Sequence, residues 1–265
     1  MARAHVASVR GAELAYEQLG DTGPDLIWGH GLSQSRAAEV EVGLIEWSAV
    51  PARVVRYDAR GHGDSSSPPE LRSYGWDELA RDQLALADHL GIDEYIAAGA
   101  SMGCGTALHV AVSAPERVRA SILVIPPTAW ETRAAQASEW GRSADVIEQH
   151  GVEPVIAARA ELPLPGPLAA DPTIRDRQAR VTRAWEPARL ARVMRGAAHA
   201  DFPPRDAVAS IAVPTMILAW TGDPVHPEST ASELHELIAG STLHVARTAE
   251  DLATWTGLVA EFVGG

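Results

Sequence analysis

Apolar residues fall in short runs along most of this chain, and the runs alternate with longer stretches in which they recur every three or four positions. HVASV, AELAYEQL, DLIWGHG, RVVRYDARGHG, EYIAAGASMG, ASILVIPP, TMILAWTGD and STLHVA read as strands, most of them ending in a Gly- or Pro-rich turn. The first two flank Arg10-Gly11 and read as an antiparallel hairpin. Helices are expected over Arg36–Trp47, Trp76–Leu90, Cys104–Ala114, Pro227–Ala239 and Leu252–Val263. Alternation of this kind predicts an α/β fold, a mostly parallel eight-stranded sheet with helices on both faces.

One stretch breaks the alternation. Between Thr128 and Ala207 no strand is legible, and the amphipathic stretches ETRAAQASEWGRSADVIEQHG and IRDRQARVTRAWEPARLARVMRGAA flank a Pro-rich ELPLPGPLAADP. The expectation is a helical cap over 128–207, inserted after the sixth strand into a core formed by 1–127 and 208–265, its Pro-rich middle a loop or hinge. An insertion at that end of a strand overhangs the crevice where open α/β sheets bind ligands.

Composition narrows the partners. The chain has 265 residues, 46% of them apolar, which fits one large domain carrying such an insertion. Thirty-five acidic against 22 basic side chains give a net charge of −13, which favours no nucleic acid and admits a neutral or cationic small molecule. The single cysteine, Cys104, excludes an internal disulfide or a cysteine-rich zinc site and reads as inert packing. The start, MARAHVASVRGAEL, has no apolar h-region, and no run is long enough to span a membrane. A cytoplasmic protein is expected, with a small-molecule substrate, no membrane or nucleic-acid partner, no metal and no cofactor.

The strongest chemical signal is Gly99-Ala100-Ser101-Met102-Gly103, set between a strand and a helix. In that setting G-x-S-x-G forms a sharp turn that lifts the serine hydroxyl off the sheet edge, with the helix N-terminus aimed at developing negative charge. Three more motifs occur in order. They are GHGLSQS (Gly29–Ser35), YDARGHGDS (Tyr57–Ser65) and TGDPVHP (Thr221–Pro227). Together they resemble the HG oxyanion loop, the D-x-R-G-x-G-x-S stretch and the D-P-x-x-P acid loop of the α/β-hydrolase fold superfamily, over nearly the full length of the chain. The resemblance implies Ser101 as nucleophile, the backbone N–H groups of Leu32 and Met102 as oxyanion hole, and Asp223 as triad acid. It gives His30 and His62 the task of shaping two loops, with His30 also a possible pocket residue, and Asp58 and Arg60 that of pinning a turn.

The chain departs from that family at one point. The family's base is a histidine in the turn after the last strand, where this chain has Thr248-Ala249-Glu250-Asp251. A carboxylate with a pKa near 4 is a weak base for a serine hydroxyl. Glu250 and Asp251 therefore read better as caps of the last helix than as substitutes. Of the other histidines, His244 lies inside a strand and reads as structural, while His199 lies near the end of the cap and is a candidate pocket residue. His226, three residues beyond Asp223, has three readings: a relocated base, a pocket-lining residue, or a turn residue preceding Pro227. Trp28 and Trp220 close strands just before catalytic loops and, with Trp130, Trp140 and Trp185, read either as pocket walls or as core.

Two functions follow. The first is hydrolysis of a small ester, lactone or related acyl compound through Ser101, with an atypical triad. The alternative is a non-hydrolytic protein of the same fold, a ligand-binding protein, lyase or cyclase, in which Ser101 forms no acyl-enzyme.

Overall fold

The computed structural model describes residues 4–265. Its eight strands are β1 (His5–Val9), β2 (Ala12–Leu19), β3 (Asp25–Gly29), β4 (Arg53–Tyr57), β5 (Tyr95–Ala100), β6 (Val118–Val124), β7 (Thr215–Trp220) and β8 (Thr242–Ala246). They form one sheet in the order β1-β2-β4-β3-β5-β6-β7-β8. β2 runs antiparallel to both its neighbours, β1 and β4, and every other pair is parallel. The β1–β2 turn places Arg10 and Gly11 at φ +46° and +74°, the two-residue turn whose twist matches the strands it joins.

Eleven α-helices follow among the described residues: α1 (Glu39–Val42), α2 (Trp76–Leu90), α3 (Met102–Ser113), α4 (Arg133–His150), α5 (Glu153–Ala160), α6 (Ile174–Arg183), α7 (Pro187–Ala197), α8 (Arg205–Ala209), α9 (Glu228–Leu237), α10 (Ala249–Ala253) and α11 (Trp255–Gly264). Successive strand residues point to opposite faces, so the sheet feeds two cores. Ile27, Val55, Ala97, Leu123 and Ile217 join one with Leu79 and Leu86 of α2, Leu108 of α3 and Leu234 of α9. Leu26, Trp28, Ile96, Ile122 and Leu218 join the other with Trp255 and Val259 of α11. No helix among the described residues is long and apolar enough to cross a membrane.

Two expected helices are cut short or broken, and one amphipathic stretch divides. Arg36–Trp47 is helical only over α1, because Arg36 is held elsewhere. Its N–H donates to Asp58 Oδ1 (2.7 Å), and its carbonyl accepts from Arg56 (2.7 Å). Gly43 then turns extended, at φ −62° and ψ 140°. The last helix is interrupted at Thr254, whose hydroxyl donates back to the Asp251 carbonyl (2.7 Å). The amphipathic stretch IRDRQARVTRAWEPARLARVMRGAA is two helices, since Pro187 starts α7 as its first residue, and Glu186 accepts from the N–H groups of Ala188 and Arg189.

Helices α4 to α7 form a helical segment between β6 and β7. A buried cation anchors it. The Arg133 guanidinium lies between the rings of Trp76 and Trp140, 4.2 Å from each centroid. It donates to the carbonyls of Ala200 (2.7 Å) and Ala197 (3.0 Å). Arg133→Met keeps an unbranched side chain but removes the stacked cation and leaves the Ala200 carbonyl without its donor, while the Ala197 carbonyl keeps the Ala200 N–H. It should cost about 3 kcal/mol of stability in urea denaturation, with the loss arising in this anchor. A change under about 0.5 kcal/mol would show that the anchor carries no weight.

Candidate active site

Ser101 sits between the end of β5 and the start of α3 at φ +51° and ψ −111°, a conformation that non-glycine residues rarely adopt. Its N–H donates to the Val124 carbonyl (3.0 Å), and its own carbonyl accepts from Cys104 (2.9 Å). Close packing explains the two flanking glycines. A Cβ on Gly99 would lie 2.4 Å from the Gly103 carbonyl, and one on Gly103 would lie 2.0 Å from the Gly29 oxygen. Strand, turn and helix thus meet backbone to backbone, and the turn is forced sharp. Cys104 is fully buried, and burial raises its thiol pKa well above the ordinary range, which keeps it protonated and inert.

The loop after β3 lies against this elbow. A Cβ on Gly31 would be 3.5 Å from Ser101 Cβ. His30 is buried and structural: Ala59 N–H donates to Nε2 (2.9 Å), so Nδ1 carries the proton and donates to the Gly31 carbonyl (2.8 Å). His62 packs 4.8 Å from the His30 ring and donates from Nδ1 to the Arg60 carbonyl (3.0 Å). Its burial holds its pKa well below the ordinary histidine value, so it stays neutral. Asp58 accepts from the N–H groups of Arg36 (2.7 Å) and Asp64 (2.9 Å), while Arg60 forms a two-point pair with buried Asp82 (2.8 and 2.6 Å). The N–H groups of Leu32 and Met102 have no acceptor among the described residues. That leaves them free for a ligand.

The third loop follows β7. His226 Nε2 lies 2.8 Å from Ser101 Oγ, and His226 Nδ1 lies 2.7 Å from Asp223 Oδ2. Both carboxylate oxygens are engaged. Oδ1 accepts from the N–H groups of Val225 (2.9 Å) and His226 (3.3 Å), and Oδ2 also accepts from Trp220 Nε1 (3.0 Å). The Trp220 ring stands edge-on to the imidazole at 6.1 Å. Two backbone bonds tie the loop to its surroundings: Thr128 N–H donates to the Val225 carbonyl (2.9 Å), and Gly166 N–H to the Thr221 carbonyl (2.8 Å).

The structure brings Ser101, Asp223, His226 and the candidate Trp220 together, and places His199, Trp28 and Trp130 elsewhere. His199 is exposed just beyond α7. Trp28 is core: it packs on Trp47 at 4.7 Å and donates from Nε1 to the Glu39 carboxylate. Trp130 packs on Phe202 and donates to the Pro203 carbonyl (3.0 Å), and Trp140 flanks Arg133. Trp220 donates to the Asp223 carboxylate, a contact its position in the sequence did not reveal. Glu250 is exposed. Asp251 is tied to its own turn, accepting from Arg247 N–H (2.8 Å) and Thr248 N–H (3.0 Å). Those bonds lower its pKa, which makes it a still weaker base. Two clefts open nearby, about 460 Å³ beside Ser35, Glu41 and Trp185 and about 560 Å³ behind Pro224 and Pro227. Ser101 lines neither.

Burial raises the pKa of Asp223, but the bonds from the His226 ring and from the N–H groups of Val225 and His226 outweigh it, so the net pKa is below the ordinary Asp value. A carboxyl held low in the fold adds stability above its unfolded pKa, and that stability is lost as pH falls through the folded value. The stability difference between the natural chain and Asp223→Asn should therefore be flat above about pH 5 and shrink below about pH 4. A difference that widens toward acid would contradict this reading of the carboxylate.

Residues 27–151 match the model of the alpha/beta hydrolase fold family. Among curated proteins, 3-oxoadipate enol-lactonase 2 of Acinetobacter baylyi is 32% identical over 193 residues, 72% of this chain and 69% of that one. N-formylmaleamate deformylase of Pseudomonas putida is 37% identical over 111 residues, 40% of this chain and 41% of that one. Among solved structures, a hydrolase from Pseudomonas aeruginosa superposes with a TM-score of 0.81 at 27% identity, covering 99% of this chain and 98% of that one. The chain therefore belongs to the α/β-hydrolase fold family and is a hydrolase enzyme.

Proposed function

We propose that this enzyme hydrolyses a small ester, lactone or related acyl compound through Ser101, using a catalytic base carried in the same loop as the triad acid. The observation that carries the proposal is His226, whose ring bridges Ser101 Oγ (2.8 Å) and Asp223 Oδ2 (2.7 Å). The similarity to an enol-lactonase and a deformylase supports acyl chemistry. The non-hydrolytic alternative drew on the missing histidine after β8, and His226 removes that support.

Asp223 accepts a hydrogen bond from Nδ1–H and keeps the proton on that nitrogen, which leaves the Nε2 lone pair facing the serine hydroxyl. As Ser101 Oγ attacks the carbonyl carbon, Nε2 takes its proton. The C=O electron pair moves onto oxygen, stabilised by Leu32 N–H, Met102 N–H and the positive end of α3. Collapse expels the leaving group, which takes the proton from Nε2 and leaves an acyl-enzyme on Ser101. A water then gives a proton to Nε2 and attacks the acyl carbon. Collapse of that second adduct releases the acid and returns the proton to Ser101. Asp223 stays ionised throughout and stabilises the imidazolium. Residues 128–207 serve as the cap over this site.

A fluorophosphonate probe should label the natural chain at Ser101, and p-nitrophenyl butyrate should be turned over. Ser101→Ala and His226→Ala should each lower kcat by roughly a thousandfold or more, whereas Glu250→Gln should stay near the natural rate. Turnover that survives Ser101→Ala would sink the serine mechanism. Loss in Glu250→Gln but not in His226→Ala would move the base to the β8 turn. Trp220→Phe keeps an aromatic ring but loses the N–H to Asp223, and should lower kcat about tenfold with KM little changed.

A further inference from the structure

The Leu32 N–H, one of the two amides proposed for the oxyanion hole, belongs to the Gly31–Leu32 peptide group. A Cβ on Gly31 would lie 3.5 Å from Ser101 Cβ, so this peptide borders the nucleophile. No peptide bond among the described residues is cis. In a planar trans peptide the N–H and the C=O point in opposite directions, so whatever fixes the Gly31 carbonyl also aims the Leu32 N–H. Two donors fix it, His30 Nδ1 (2.8 Å) and Gln34 N–H (3.1 Å).

The second of those donors is itself held. Gln34 N–H and the Ser33 carbonyl are the two ends of one peptide group, and Trp185 Nε1 donates to that carbonyl (3.1 Å). A continuous chain of hydrogen bonds therefore starts at the Trp185 indole and crosses the Ser33–Gln34 and Gly31–Leu32 peptides. It ends on the Leu32 N–H. Each donor polarises the peptide it binds, which strengthens the next bond. The turn needs this support. Leu32 and Ser33 are its middle residues, and Ser33 sits at φ +62°, a left-handed conformation in which glycine is the usual occupant.

Trp185 comes from outside the sheet, in the short connection between α6 and α7. It is half-buried there, its ring perpendicular to that of His62 with centroids 5.3 Å apart. Arg189 seats α7 on the loop after β4, donating to the carbonyls of Gly61 (2.7 Å) and His62 (3.1 Å). The geometry points to Trp185 as a positioning residue for the hydrolysis, one that aims and polarises the Leu32 N–H through two peptide groups. The oxyanion hole is then complete only while the helical segment between β6 and β7 is seated. This inference rests on the serine-hydrolase reading of the site.

The test compares the natural chain with Trp185→Phe, which keeps an aromatic ring beside His62 but loses the N–H. The kcat for p-nitrophenyl butyrate should fall about tenfold, less than the hundredfold or more expected when an oxyanion donor is removed outright. Affinity for butyl trifluoromethyl ketone, whose adduct with Ser101 carries a negative oxygen, should weaken by about the same factor. Binding of butyramide, which carries no such charge, should change by less than about twofold. A merely structural loss would weaken both ligands together. Unchanged ketone affinity, or an equal loss for both ligands, would overturn the assignment. Amide hydrogen exchange followed by NMR reads the hydrogen-bond chain without turnover. The exchange rate of Gln34 N–H relative to the β5 amides should rise about fivefold or more in Trp185→Phe, and an unchanged ratio would refute the chain. If the natural chain neither turns over the ester nor takes the fluorophosphonate probe, the serine-hydrolase reading has failed, and the Gln34 exchange ratio decides on the hydrogen-bond chain by itself.

Discussion

The Asp223 carboxylate is the constraint on which the arrangement of the site depends. One oxygen takes the N–H groups of Val225 and His226, and the other takes the Trp220 indole and the His226 ring. The same group therefore sets the backbone of the turn and the orientation of the imidazole it precedes by three residues. A short tether would ordinarily leave the ring free to turn away from the serine. Here the carboxylate closes a small ring of hydrogen bonds, and the only imidazole nitrogen left unbound within the loop is the one at Ser101 Oγ.

Such a loop has to be rigid, and it is held from several directions. β7 supplies Trp220, whose ring also stacks on Trp255 of α11 at 6.2 Å. The segment after β6 supplies the Thr128 N–H, and the Pro-rich segment supplies the Gly166 N–H. Gly166 fits closely: a Cβ there would lie 2.8 Å from Thr221 Oγ1 and 3.1 Å from the Arg247 oxygen. The Pro-rich stretch thus lies across both the acid loop and the turn after β8. That turn is left with a local task, the capping box in which Thr248 and Asp251 exchange hydrogen bonds. Its lack of a histidine follows naturally once a histidine elsewhere reaches the serine.

The sheet was legible because its strands are short apolar runs ended by turn residues, and all eight lie where those runs are. The elbow was legible because Gly99 and Gly103 are demanded by backbone contacts that admit no Cβ. Helix ends were less so. Arg36 has the composition of a helix residue, yet a network with Asp58, Asp64 and Arg56 twenty or more positions away holds it in a loop. The tryptophans stayed open for a related reason. A large ring reads the same in the sequence whether it lines a pocket or packs in the core, and Trp28 and Trp130 pack inward and donate to Glu39 and Pro203.

By itself the chain determined the fold class, the order of its motifs and the narrow set of groups able to do chemistry, because periodicity, glycine placement and residue type are local properties. It left His226 with three readings, since residue order says that Asp223 and His226 are near each other but not which way either side chain turns. Only the tertiary structure decided that. The direction of the imidazole depends on Trp220, Thr128 and Gly166, which come from a strand end, a post-strand loop and a Pro-rich segment far apart in sequence. Their hydrogen bonds exist only once the sheet has brought those pieces to one edge.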